Sequence, residues 1–155
     1  MDHKDYMRRA LELAAQAGEE GDVPVGCVIV RDGAIVGEGR NRREENGDAT
    51  AHAELEAIRD ACRRLGSWRL HRCTMYVTLE PCPMCAGGII NARVDTVRYG
   101  TRDDQAGACG SVLHLFEERV NNHPRLYRGP LERECQEILQ DFFQGLREDG
   151  AGENG

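Results

Sequence analysis

His52-Ala53-Glu54 and Pro81-Cys82-Pro83-Met84-Cys85 hold the residues of this chain best suited to chemistry. One imidazole and two thiols are the borderline-to-soft ligands that zinc takes. Three protein ligands leave one place of a four-coordinate zinc for water, whose pKa there falls to near ~7. A structural zinc site fills every place with protein. A closing fourth ligand would have to come from His3, His71, His114, His123 or another Cys, and none lies at short spacing from a partner. Glu54, two residues from the His, is a carboxylate placed to carry protons for that water. Singly, the two halves have blander readings. A Cys-x-x-Cys pair also serves redox chemistry, and a His opening a helix more often caps it. Together they predict one zinc per chain on His52, Cys82 and Cys85, with Glu54 as a proton shuttle outside the ligand set.

Two helix starts must present these groups. Ala51 to Leu65 reads as a helix with Leu55, Ile58, Ala61, Cys62 and Leu65 on one face, stopped by Gly66. Thr74 to Leu79 is strongly β-prone, and Pro81 and Pro83 open a second helix that runs to Ala92. Helix N-termini carry partial positive charge and free N–H groups, which favours thiolates and other anions. Backbone N–H groups near Ala53 or Cys82 are placed to assist the reacting oxygen, and Val23-Pro24-Val25 is a candidate wall of a water-poor pocket.

Around these elements, a helix from Lys4 to Ala17 is predicted to end at Gly18. A hairpin follows, with Val25 to Val30, a turn at Asp32-Gly33 and a return strand from Ile35. Arg40 to Thr50 reads as polar loop, Asp95 to Gly100 as a strand, and the residues through Gly110 as a Gly-rich loop. The last helix is expected from about Leu131 to Leu146. A helix between two buried strands implies a parallel crossover, and so a mixed sheet with helices on both faces. One domain is expected over residues 1–147, and the acidic, Gly-rich residues 148–155 are expected to lack order.

At 155 residues and 40% apolar, the chain has material for one domain with a substantial core. A net charge of −7 argues against a dedicated nucleic-acid binder on the total alone. Local basic clusters offset it: Arg40, Arg42 and Arg43; Arg63, Arg64, Arg69 and Arg72; Arg119, Arg125 and Arg128. Each reads first as a solvated face. The 7 Cys are an odd number with one metal-spaced pair, which fits a reducing cytoplasm. The N-terminus does not resemble a signal peptide, and no apolar run suits a membrane span.

The pattern H-x-E…P-C-x-x-C is the signature of zinc nucleobase deaminases. Within that group the chain resembles the bacterial tRNA-specific adenosine deaminases. The likeness rests on Val23-Pro24-Val25-Gly26, Gly39-Arg40-Asn41-Arg42, Leu65-Gly66-Ser67-Trp68-Arg69-Leu70, Thr78-Leu79-Glu80, Gly107-Ala108-Cys109-Gly110-Ser111, and Glu134-Cys135 with Asp141-Phe142-Phe143. It implies an α/β fold, a three-layer α/β/α sandwich around a mixed five-stranded sheet of the cytidine deaminase type. It also implies a homodimer that converts the wobble adenosine of a tRNA anticodon stem-loop to inosine in the cytoplasm, with no membrane partner. Glu54 would be catalytic. Asn41 would hold the flipped purine, with Ala53 beside it. Asp103 would touch the RNA next to the target, or else serve as a turn residue. Two stretches depart from the family. Asn121-Asn122 replaces Asn-His, with His123 one place late, and Gln144 to Asp149 is acidic where relatives are basic. The alternatives are a free-base or nucleoside deaminase for guanine or cytosine, and a zinc-dependent RNA-binding protein without catalysis. Glu54 argues against the last.

Overall fold

Val28, Ile29 and Val30 are β-branched, buried, and form the middle of β1 (Gly26–Arg31). Asp32 and Gly33 adopt φ of 51° and 81°, the backbone a tight hairpin turn requires, and the chain returns as β2 (Ala34–Arg40). β3 (Cys73–Leu79) pairs antiparallel with the other edge of β1. β4 (Thr96–Thr101) lies parallel to β3, and β5 (Arg125–Arg128) parallel to β4. The sheet is therefore the mixed, five-stranded one expected, in the order β2-β1-β3-β4-β5. This computed structural model describes the backbone of residues 1–153 and the side chains of residues 1–149. Residue patterning alone did not locate β5 or the 3-10 turn at Leu115–Glu117. Four residues with one half-buried side chain, Leu126, are too short and too polar to signal a strand.

Helices cover both faces. α1 (His3–Glu19) packs on β1 and β3, and α5 (Glu132–Glu153) packs on β4 beside it. After the short α2 (Arg43–Asn46), α3 (Ala53–Leu65) lies on β2 and β1 and touches α4 (Pro83–Asn91), which makes the β3-to-β4 crossover. Asp2 and Asp5 cap α1 reciprocally. Gly18 does not end α1 as expected. The helix runs on to Glu19, a Cβ at Gly18 would lie 3.4 Å from Pro24, and Gly21 takes the turn at φ 88°.

The face of α3 also differs from expectation. Ala53, Glu54, Ala57 and the expected Ala61 are its deeply buried residues, while Leu55, Ile58, Cys62 and Leu65 are half-buried. A Cβ at Gly39 would stand 2.3 Å from the Ala53 carbonyl oxygen, and one at Gly37 2.6 Å from that of Ala57. Alanine against glycine lets α3 seat on the β2 backbone, and a pattern weighted by large side chains misses it. Leu55 and Ile58 instead reach Gly88 of α4.

α5 passes the expected end at Leu146 and continues to Glu153. The described helix includes residues 148–153, and Asn154 and Gly155, the end of the expected tail, lie outside the described residues. No proline interrupts this stretch, and Gln144 donates to Glu148 at 3.0 Å. Among the described residues no helix is long and apolar enough to cross a membrane.

Candidate active site

His52 and Cys82 occupy the N-cap positions of α3 and α4, and neither side chain caps its helix. Both are free to meet at one point, and Cys85 joins them from the first turn of α4. His52 Nδ1 lies 3.6 Å from Cys82 Sγ and 3.5 Å from Cys85 Sγ. Tetrahedral zinc with bonds of ~2.3 Å to sulfur and ~2.0 Å to nitrogen sets those atoms ~3.5 Å apart, so the trio fits the ion. All three ligand atoms fall within 4.8 Å of one another, the one such group of three found among the described residues.

The protons of this trio are displaced from their ordinary places. The hydrogen bond from Cys85, then one with His52, holds Cys82 down to about 4. Cys85, donor of that bond, is pushed far up by it and by burial. Its bond with Cys82 raises His52. One thiolate is thus already favoured, and a cation would displace the remaining protons.

Glu54 is 4% exposed. Burial pushes it up to about 7 against the opposing pull of its own backbone N–H and of His52. His52, Glu54 and Cys82 line a cleft of about 990 Å³ with Val23, Val25, Asn41, Leu79 and Asp103. It opens outside the carboxyl ends of β3 and β4, where open α/β sheets bind ligands.

Asn41 Oδ1 accepts the Ala53 N–H at 2.9 Å, and its Nδ2 donates to the Val23 carbonyl at 3.1 Å. These bonds fix the amide's orientation and leave one N–H and one lone pair for a ligand. Ala53, fully buried, braces Asn41 through its N–H. Val23 and Val25 do form a wall, with Pro24 fully buried behind them. Asp103 is a turn residue at the cleft. Its Oδ1 accepts from Gln105 N at 3.0 Å and Ala106 N at 3.1 Å as a turn residue does, and it lines the cleft.

Two parts of the site escaped the sequence. Leu139, Phe143 and Leu146 of α5 form another side of the cleft, and Phe143 and Leu146 remain 42% and 51% exposed. Glu80, visible only inside the Thr-Leu-Glu motif, is a buried lining residue. Most of the arginine clusters are paired with carboxylates. Arg40 meets Glu20, Arg42 meets Glu45, Arg43 meets Asp22, Arg63 and Arg64 meet Asp60, and Arg128 meets Glu132. Arg43, Arg102 and Arg147 are the cations on the cleft itself. Asn122 donates to the Val94 carbonyl at 2.9 Å, and His123 bonds the Glu118 carbonyl at 2.9 Å, so both tie down the loop before β5.

Residues 1–147 match the MafB19-like deaminase family. The tRNA-specific adenosine deaminase of Bacillus subtilis (strain 168) is 45% identical over 143 residues, 92% of this chain and 89% of that protein. A structure from work on A-to-I editing by tRNA:A34 deaminases matches at TM-score 0.86 and 43% identity, over 88% of this chain and 100% of that one. The guanine deaminase of Bacillus subtilis matches at TM-score 0.66 and 35% identity, over 96% and 95% of the two chains. Sheet, helix layers and likenesses together define a deaminase of the cytidine deaminase-like fold. The chain belongs to the MafB19-like deaminase family.

Proposed function

We propose that this protein hydrolytically deaminates the wobble adenosine of a tRNA anticodon stem-loop to inosine, with one zinc ion held by His52, Cys82 and Cys85. The observation that carries the reading is the ligand trio beside a buried, proton-ready Glu54 in the cleft, in a chain 45% identical to a tRNA-specific adenosine deaminase. Zinc, when bound, makes hydroxide available at neutral pH. Glu54 takes up the proton released and returns protons to the ring nitrogen and to the departing amine. A C–O bond forms at the ring carbon, the C–N bond breaks, and ammonia leaves. Asn41 turns its remaining N–H and lone pair to the purine edge. Val23, Val25 and Leu79 keep water from the base, and Asp103 meets the RNA beside it. An anticodon loop offers bases that unstack cheaply, which suits a recessed site.

Arg43, Arg102 and Arg147 at the cleft, with Arg42 and Arg69 from the basic clusters outside it, supply phosphate contacts despite the net charge of −7. Met84, Val112 and Leu113 are exposed apolar residues of α4 and the loop after β4, and we assign them to the face of a homodimer. Seven free cysteines support residence in the cytoplasm.

The likeness to a guanine deaminase at 35% identity, with the acidic total charge, favours a second reading, a free-purine deaminase. Incubation with total tRNA and, separately, with guanine, cytosine and adenosine, followed by mass analysis, decides between them. Inosine at the wobble position is expected. Deaminated free base with every tRNA untouched would overturn the proposal.

A further inference from the structure

Glu80 is 2% exposed, and its carboxylate is satisfied by hydrogen bonds from one loop, residues 102–111. A buried charge demands such partners. The N–H groups of Asp103 at 3.0 Å, Cys109 at 2.8 Å and Ser111 at 3.2 Å all donate to it. The Ser111 hydroxyl donates to the same carboxylate. The loop closes so tightly that a Cβ at Gly107 would lie 2.3 Å from Glu80 Cδ. Backbone bonds complete the seam, from Glu80 N–H to Thr101 O and from Ala108 N–H to Pro81 O, both at 2.8 Å. Both ends of the loop are therefore tied to one side chain. Between the ties, Asp103, Asp104, Gln105 and Ala106 line the cleft.

We propose that Glu80 is a positioning residue for substrate, fixing this loop so that Asp103 and its neighbours form a rigid rim around the target base. It governs how well the base is held, and leaves proton transfer at Glu54 untouched. The proposal rests on the cleft being the substrate site. The direction of the contacts separates this role from support of the metal ligands. The carboxylate's donors come from the loop after β4, while Cys82 and Cys85 sit on α4.

The test is Glu80→Gln in the zinc-loaded full chain. The amide keeps the shape but sets a donor against donors, so the loop loses its fixed place. With an anticodon stem-loop as substrate, KM is expected to rise on the order of tenfold while kcat stays within about threefold, and zinc content is unchanged. Trypsin cleavage after Arg102 in the native protein is expected to quicken by on the order of tenfold. Adding E80Q to D103A should raise KM little further, because the two act through one rim. Unchanged KM with unchanged cleavage would overturn the proposal. So would lost zinc or lost kcat at constant KM, which would put Glu80 in the metal site. If the wild type ignores every stem-loop, the substrate reading fails, and the trypsin arm still decides whether Glu80 holds the loop. Should E80Q not fold, S111A removes one donor and should shift KM and cleavage in the same directions by less. No shift in S111A would count against the proposal.

Discussion

At the scale of single residues, Glu54 shows how burial sets chemistry, since this 4% exposed side chain has its pKa pushed up to about 7. E54Q should keep metal and fold while losing at least ~10²-fold in rate, as loss of a general acid/base does. Metal loss together with activity would instead make Glu54 a ligand. The acid limb of kcat/KM should fall at or below about 7, because Glu54 must be ionised to accept a proton and a nearby cation lowers its pKa from the value burial sets. Stability follows the same shift in metal-free protein. Below the ordinary value of 4.5 both folded and unfolded Glu54 are protonated. Between 4.5 and about 7 the unfolded chain ionises first, so stability from this group is lost as pH rises through that window. The urea midpoint of metal-free wild type should therefore fall relative to E54Q across it. A constant difference between the two would refute the shift. His52, Glu54, Cys82 and Cys85 were legible in the sequence because ligand and proton chemistry follow from residue type and short spacing. Glu80 was not, because its role depends on which distant N–H groups converge on it.

At the scale of elements, the site depends on how closely α3 seats on β2. Gly37 and Gly39 leave room for the Ala53 and Ala57 carbonyls, and Ala53 is the residue between His52 and Glu54. G39A should destabilise by ~1–3 kcal/mol, the range for overpacking a tight interface, and should lower zinc content by shifting the start of α3. Urea unfolding and elemental analysis check the two effects. A G39A protein with full zinc and unchanged midpoint would show that the contact yields freely. The hairpin, the helix starts and the parallel crossover were legible from turn residues, β-branched runs and Pro81-Cys82-Pro83. The alanine face of α3 was not, since small side chains carry little periodic signal. β5 was not, since an edge strand of four residues has almost no pattern of its own.

At the scale of the whole molecule, an acidic chain must hold RNA through a minority of its surface. Affinity for an anticodon stem-loop should fall steeply with salt, because phosphate contacts release counterions. Charge reversal at Arg42, whose contact with Glu45 is a loose 3.8 Å, or at Arg69, which lies over Trp68 at 4.5 Å, should weaken binding more than removal of the residues after Glu148. Binding measured at two salt concentrations tests both. If turnover of tRNA shows no salt dependence, the arginines are solvated surface and the RNA is held by apolar and hydrogen-bonding contacts.

The position of α5 has a consequence in time. Its Leu139, Phe143 and Leu146 form part of the cleft, and it follows every other element in the chain. A ribosome releases His52, Glu54, Cys82 and Cys85 well before it makes those three residues. A nascent chain can thus gather its metal ligands while one side of its binding site is still unmade. Full grip on a substrate waits for α5, so a chain made only as far as β5 lacks one wall of its cleft.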